Sequence, residues 1–283
     1  MCGSTAASGW RRSKVDDAAL LDALSEAARE AGEAIRAVRR RGFDVAHKGD
    51  LSPVTEADHA AEQIILAALA KAAPGVPVIA EEEVAAGRIP AHDDFYFLVD
   101  PLDGTKEFVR GGDDYTVNIG LIQGGTPRLG VVLAPEQDRL FAGLVGKGAW
   151  IEGPDGERKP TRTRERGTEL VAVASKSHFT ANTSDYLDSV SPGCGHVSVG
   201  SSLKFCIVAE GLADIYPRLS PTSEWDTAAG HAVLLAAGGR VDGLDGQSLG
   251  YGKPTFLNRG FVATAGWSPP SIGPFMNYEG TLA

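Results

Sequence analysis

Between Phe95 and Gly146 the chain sets four β-type apolar runs close together: FYFLV (95–99), YTVNIGLI (115–122), RLGVVLA (128–134) and LFAGLVG (140–146). Gly, Pro and Asp turns separate the last three, and no crossover helix fits between them, so the pattern predicts an antiparallel sheet from about Tyr115 onward. Before this block, apolar positions recur three or four apart from Leu20 through Leu24, Ala28 and Ile35 to Val38, which predicts an amphipathic helix over 16–40 that ends near Gly42. Thr55 reads as the N-cap of a second helix running from Glu56 to Lys71 and stopped by Pro74 and Gly75, and PVIA (77–80) reads as a further strand.

A polar stretch, GPDGERKPTRTRERG (153–167), follows and reads as a connection between halves, or as a long hairpin loop. Beyond it the rhythm changes. Strands at LVAVAS (170–175), HVSVG (196–200) and ADIYPR (213–218) alternate with helices at SLKFCIVAEG and WDTAAGHAVLLAAGG, and RVDG adds a last strand-like run. Such alternation predicts an α/β second half. The chain is thus expected to comprise an α+β domain over 1–155 and an α/β domain over 156–283.

Composition narrows the partners. The 283 residues carry a formal net charge of -10, which argues against a protein living on nucleic-acid polymers, because such proteins need a basic face. A small anionic substrate would need local help from basic side chains or bound cations. Cys2, Cys194 and Cys206 are odd in number and show no metal-binding spacing, which reads as a reducing compartment without a disulfide framework. No apolar h-region follows Arg11 and Arg12, and no stretch approaches the length of a membrane span. A cytoplasmic enzyme without stable membrane insertion is the expectation.

The stretch LVDPLDGTKEF (98–108) places Asp100 and Asp103 at the end of an apolar run, with Pro101 between them and Gly104 and Thr105 directly after. Two carboxylates at that spacing repel each other, and a fold that keeps both ionised supplies a cation. Other acids stand at strand ends or helix starts: Glu81, Glu82 and Glu83 after PVIA, Asp226 opening WDTAAG, and Asp50 ahead of SPVTEAD. Each has a plainer reading, since a Glu triplet is usually a solvated turn, an Asp at a helix start usually a cap, and DPLDGT a tight turn. Together they form an all-oxygen donor set suited to a hard cation, with carboxylates enough for two or three Mg²⁺ ions.

DPLDGTKEF followed by YTVNIGLI, and later EWDTAAGHAVLLAAGG, resemble the two signature segments of the Mg²⁺-dependent, lithium-sensitive inositol monophosphatase superfamily. KGDLSPVTEAD, TKEF and GSSLKFCIVAEGLADIYPR are similar to its bacterial CysQ-type branch, the 3'(2'),5'-bisphosphate nucleotidases. The resemblance implies a layered αβαβα sandwich and a phosphomonoesterase acting on a nucleoside bisphosphate such as 3'-phosphoadenosine 5'-phosphate. It implies that Glu81 is a metal ligand with a catalytic part, that Asp100 is shared by two metals, that the carbonyl of Leu102 is a further ligand, and that Asp103 and Asp226 hold the second metal. Asp50 and Thr105 resemble the pair that orients and deprotonates the attacking water.

The same resemblance implies a substrate side to the site. Gly104 and Thr105 would offer amides to phosphate oxygens, beside Asp103 and Asp226. Ser201, Ser202, Lys204 and Arg218 would face the nucleotide and its second phosphate, with His178 toward ribose or base; a lone histidine after a strand also reads as a hydrogen-bonded structural residue. A small phosphorylated molecule is the implied partner, and a homodimer is compatible with it.

Three departures bear on these assignments. The acidic turn reads AEEE, which leaves Glu81 and Glu82 both open as the ligand; VRGGDDY puts Gly111 and Gly112 in a loop expected beside the site; and LNRGF stands where LNPxF is more familiar. Other substrates within the same chemistry are an inositol phosphate, another sugar phosphate or a phosphorylated nucleoside intermediate. A non-catalytic metal- or phosphate-binding protein is the alternative of a different class.

Overall fold

The computed structural model describes residues 16–49 and 52–276. It opens with helix α1 (Asp17–Arg41), a hairpin of β1 (Val45–His47) and β2 (Pro53–Thr55), and helix α2 (Glu56–Ala72). Both helices start on the side chains expected to cap them, Asp16 accepting the N–H of Ala18 and Thr55 that of Ala57. The spaced apolar residues of α1 are buried as one face, with Leu21, Leu24, Ala28 and Ile35 fully so.

A seven-stranded sheet follows in chain order: β3 (Val78–Ala80), then past the short helix α3 (Glu81–Ala85) β4 (Phe95–Asp103), then past α4 (Thr105–Val109) β5 (Thr116–Gln123), β6 (Thr126–Ala134), β7 (Arg139–Leu144), β8 (Gly148–Glu152) and β9 (Arg158–Thr161). The pair β3–β4 is parallel and the remaining neighbours are antiparallel. The polar stretch after Gly153 is therefore a hairpin and an edge strand before it is a connection. Its charges sit on β9 because an edge strand with exposed faces tolerates and favours them. The chain passes from this sheet to the next over residues 162–171, beyond the boundary expected at 155.

The second sheet draws on β10 (Ala172–Ser175), β11 (His196–Val199), β12 (Ile215–Arg218), β14 (Arg240–Asp242) and β16 (Phe261–Thr264), ordered β11-β10-β12-β16-β14. Between these strands run α5 (Ala181–Val190), α6 (Leu203–Ala209) and α7 (Trp225–Ala236), and a small ribbon pairs β13 (Thr222–Ser223) with β15 (Leu257–Asn258). Parallel pairing holds around β10, whereas β16 runs antiparallel to both its neighbours.

Three apolar cores define the layers. Alternate residues of the first sheet, such as Val117, Ile119 and Val131, pack on α1 and α2; their neighbours Val132, Ala134 and Phe141 pack the other way, on α6, α7 and the second sheet. A third core lies between the second sheet and α5. The order is helices, sheet, helices, sheet, helix, the expected αβαβα sandwich. Strands buried on both faces read as continuous apolar runs rather than alternating ones, which is why they stood out in the sequence.

Helix α7 reaches the first sheet through a row of glycines. Gly120, Gly130 and Gly143 lie opposite one another on β5, β6 and β7. A Cβ on Gly120 would stand 2.9 Å from Ala228 Cβ, and one on Gly143 would stand 2.7 Å from Val233 Cα. Small residues on both sides thus let backbone meet backbone. Gly130→Ala should therefore lower stability by about 3 kcal/mol, since the clash is with helix backbone that cannot step aside. Denaturant midpoints check this, and an unchanged midpoint would mean that α7 can lift off the sheet at no cost.

Candidate active site

The two aspartates of the DPLD segment share one face because β4 bulges between them. Asp100 pairs with Asn118 and Asp103 with Thr116, so three steps on β4 oppose two on β5. Without the extra residue, positions three apart would point to opposite faces. Pro101, which has no N–H to offer the ladder, sits in the irregular stretch. Gly104 then turns the chain with φ of 94°, in the left-handed region, and a Cβ there would meet Asp114 O at 3.1 Å. Thr105 follows as the first residue of α4.

These residues line a cleft of about 220 Å³ between the first sheet and the α6–α7 side of the second half. Glu81, Asp100, Leu102, Asp103 and Asp226 all line it. Glu82 does not; it is buried under the turn, and its carboxylate shares Lys48 Nζ with Glu81, at 2.6 and 2.7 Å. The structure thus turns Glu81 rather than Glu82 to the cleft. Gly104 and Thr105 from the first half and His178, Ser201, Ser202, Lys204 and Arg218 from the second line the same cleft. Asp50 lies outside the described residues.

Charge is crowded at one end. Burial pushes the Asp100 carboxyl far above the usual range, and the charges of Glu81, Asp103 and Asp226 add to that. Asp103 is raised to about 6 by burial and by Asp226. Asp226 is raised by burial and by Glu81, and Glu81 by burial. Four carboxylates that disturb one another in one cleft are a site that a divalent cation relieves, and their hard oxygen donors fit Mg²⁺. Among the described residues, however, no group of three or more Asp, Glu, His or Cys side chains stands in a ready metal-holding arrangement. Protein donors occupy some of the oxygens: Lys48 holds Glu81, while Thr222 Oγ1 and Ser223 N donate to Asp226 Oδ2.

Among the described residues Thr105 pairs with Asp58, a residue the sequence reading did not single out; Asp50, the expected partner, is not among them. Thr105 Oγ1 stands 3.0 Å from Asp58 Oδ1 and 3.1 Å from the Leu102 carbonyl, and its one proton can go to either. Asp58 is buried, and its second oxygen accepts the N–H and the hydroxyl of Thr55 at 2.7 and 2.8 Å. The sequence TEAD reads as a helix cap, and Asp58 does complete a capping box with Thr55. That local role hid the other oxygen, which faces Thr105 across 47 residues of chain. Burial raises the Asp58 carboxyl, partly offset by its donors.

The second-half residues differ in what they can offer a ligand. Ser201 sits at φ of 47°, and its buried hydroxyl has no hydrogen-bond partner in the protein, so it is free for a ligand. Ser202 is already engaged: its Oγ lies 3.0 Å from Asp103 Oδ2 and 2.6 Å from the carbonyl of Asp226, and accepts from Asn118 Nδ2. Lys204, although it lines the cleft, is almost fully buried and donates to the carbonyls of Val199 and Ser201, with burial lowering its pKa to about 8. It organises the turn first. Arg218 lies at the end of β12 and donates to the Ser220 and Pro221 carbonyls.

His178 is held beside Ser175, its N–H donating to Ser175 Oγ at 3.2 Å. Its pKa falls to about 4 through burial and the positive charges of Arg218, Lys106 and Lys204, so it is neutral at working pH. Lys106, which sequence reasoning passed over as part of TKEF, lines the cleft as well. Gly111 and Gly112 do not; Gly112 N donates to the Glu107 carbonyl at 2.8 Å and closes α4. The stretch beside the cleft is instead Lys106–Glu107, on α4, and the glycine pair lies beyond it.

Behind α7, His231 lies fully buried with Nδ1 3.0 Å from the Tyr251 hydroxyl. Burial, helped by Lys253, pushes its pKa down to about 3. A depressed histidine binds its proton only in the unfolded chain between these values and the ordinary 6.5. Stability should therefore fall as pH drops from about 6.5 toward 3, with His231 contributing up to about 1.4 kcal/mol per pH unit. Chemical denaturation across that range should show a shallower slope in His231→Gln than in the parent; equal slopes would remove His231 as a source.

Known proteins match the chain along most of its length. The sequence pattern of the Inositol monophosphatase family matches residues 16–273. The 3'(2'),5'-bisphosphate nucleotidase CysQ of Escherichia coli K12 is 46% identical over 245 residues, covering 86% of this chain and 98% of that protein. Inositol monophosphatase 3 of Solanum lycopersicum is 35% identical over 236 residues, 78% of this chain and 84% of that one. Among solved structures, CysQ from Bacteroides thetaiotaomicron, a bacterial member of the same family, superposes with a TM-score of 0.74 at 35% identity, covering 87% of this chain and 97% of its own. With the DPLD bulge, the acidic cleft and the layered sandwich all in place, the chain belongs to the inositol monophosphatase family.

Proposed function

We propose that this protein is a cytoplasmic, Mg²⁺-dependent phosphatase that removes the 3'(2')-phosphate from a nucleoside 3'(2'),5'-bisphosphate, leaving a 5'-nucleotide and inorganic phosphate. The observation that carries the reading is the division of charge within one cleft. Glu81, Asp100, Asp103 and Asp226 gather as one acidic set, while Arg218, Lys106 and Lys204 bring positive charge to the same cleft around a neutral His178. An anion with two phosphates suits both sets, one phosphate on cations held by the carboxylates and one on the protein's own cations.

Glu81, Asp100, Asp103, Asp226 and the Leu102 carbonyl would hold two or three Mg²⁺ ions, which when bound polarise the phosphoryl oxygens and offset the charge of the leaving alkoxide. Thr105 would accept a hydrogen bond from the attacking water while its own hydroxyl donates to Asp58. A proton leaving the water can then pass through Thr105 to the Asp58 carboxylate, whose other oxygen Thr55 holds in place. Ser201, with its unpartnered hydroxyl, and the amides at Gly104 and Thr105 would orient the phosphate and sugar. Water, not a protein side chain, is the nucleophile.

Phosphate release from purified protein with Mg²⁺ tests this on a nucleoside 3',5'-bisphosphate, a nucleoside monophosphate and an inositol monophosphate. The bisphosphate should give the highest kcat/KM; a higher value for the inositol ester would move the substrate elsewhere in the family. Arg218→Ala should raise KM for the bisphosphate by about 10-fold or more and for a monophosphate much less, as loss of one charge-assisted contact would. Lys204→Ala should harm both substrates together, because its ammonium holds the turn that carries Ser201. An equal penalty on both substrates for Arg218→Ala would mean that this cation does not read the second phosphate.

A further inference from the structure

Immediately behind the cleft lies a polar network that the proposed chemistry leaves unused. Glu224, the residue before α7, is wholly buried, and its carboxylate accepts the N–H groups of Gly252 and Lys253 at 2.9 and 3.1 Å and Lys253 Nζ at 3.0 Å. Lys253 Nζ also donates to Asn258 Oδ1 at 2.9 Å and to the Gly250 carbonyl. Asn258 Nδ2 passes the connection on to Thr227 Oγ1 at 2.9 Å, and the Tyr251 hydroxyl donates to the same Thr227 oxygen at 3.1 Å. The Glu224 backbone joins in, its N–H donating to the Phe256 carbonyl at 2.7 Å and its carbonyl accepting from Ala228 N.

Six of these bonds tie the segment 250–258 to residues 224–228, and Asp226 lies at the centre of that second stretch. The ribbon adds two further ties, pairing Thr222 with Asn258 and Ser223 with Leu257. Thr222 and Ser223 are in turn the donors to Asp226 Oδ2. The Asp226 side chain is therefore gripped from a loop that never enters the cleft itself.

An ion pair between a buried carboxylate and a lysine that is 36% exposed is a poor device for stability alone, because desolvation of the carboxylate offsets an attraction that solvent weakens. What it does supply is direction: a Lys with three donors on three acceptors fixes the atoms around it. We propose that Glu224 and Lys253, through Asn258 and Thr227, are positioning residues that set the start of α7 so that Asp226 presents its carboxylate to cations in the cleft. The inference rests on the reading of Asp226 as a metal ligand, and it predicts that metal affinity depends on residues that cannot touch the metal.

The test is Mn²⁺ binding to the purified full chain without substrate, with free Mn²⁺ counted by electron paramagnetic resonance and with unfolding midpoints measured on the same samples. Lys253→Met and Glu224→Gln should each raise the Mn²⁺ dissociation constant by about 10-fold or more, the usual cost of losing an outer partner of a metal ligand. Lys253→Arg, which keeps the charge and its donors, should recover most of the loss.

Arg164→Met breaks an ion pair of the same kind, a part-exposed cation on the buried Asp214 at the second sheet, where Nε donates at 2.8 Å, and serves as the comparison. It should lower stability and leave Mn²⁺ binding as in the parent. If Lys253→Met and Glu224→Gln behave like Arg164→Met, losing stability and nothing else, the proposal is overturned; should Lys253→Met not fold, Glu224→Gln alone carries the comparison. Asp226→Asn run alongside separates the two failures: unchanged Mn²⁺ binding there would remove Asp226 as a ligand, and the clamp's purpose with it.

Discussion

Asp58→Asn lowers kcat for phosphate release by about 10²- to 10⁴-fold, the range expected when a general base is lost. Asparagine keeps the shape of the residue, but one of its two terminal atoms becomes an NH₂ group. Whichever way it is turned, it loses either the acceptor for Thr105 or an acceptor for the two Thr55 donors. Some stability is lost with the capping box, about 1 kcal/mol. The decisive readout is therefore kcat per folded molecule, with KM near that of the parent because Asp58 does not line the cleft. Asp50→Asn measured in parallel distinguishes this pairing from the one that the sequence suggested. A collapse of turnover at Asp50 with none at Asp58 would return the water-activating role to Asp50.

Asp100→Asn abolishes turnover to near background while leaving the metal-free protein folded, and it raises metal-free stability by an amount on the order of 1 kcal/mol. The two effects share one cause. Asp100 feels Glu81, Asp103 and Asp226 at once, and removing its charge relieves all three repulsions. The same removal takes away the carboxylate proposed to be shared between cations. Mg²⁺ should accordingly raise the unfolding midpoint of the parent, as any ligand of the native state does, and hardly that of the variant. A variant that keeps its turnover refutes the shared-ligand role, and one that is less stable without metal refutes the account of crowded charge.

The distance between reading and geometry is instructive at Asp58 and Lys204. Capping is local, so Thr55 was legible as a cap from its own turn, whereas Asp58, which completes the capping box, was not singled out. Its second bond, to Thr105, crosses from one element to another and leaves no local signature. Lys204 had the opposite fate. A lysine beside two serines at a strand end reads as a ligand for anions, yet burial turned its ammonium onto the carbonyls of its own turn. Glu81 was separated from Glu82 only by the direction each side chain takes from a short helix, which residue type does not encode.

The amino-acid order by itself determined the elements and the chemistry on offer: the amphipathic helices, the doubly buried strands, the bulge-prone DPLDGT turn and an oxygen-only set of acids. Those follow from periodicity, capping and residue type, which act over a few residues at a time. Only the tertiary structure decided which acids share a cleft, which threonine meets which carboxylate, and that the 250–258 segment grips the start of α7. Such choices are made by packing between segments far apart in the chain, where a contact depends on how two surfaces meet and not on what either sequence says alone.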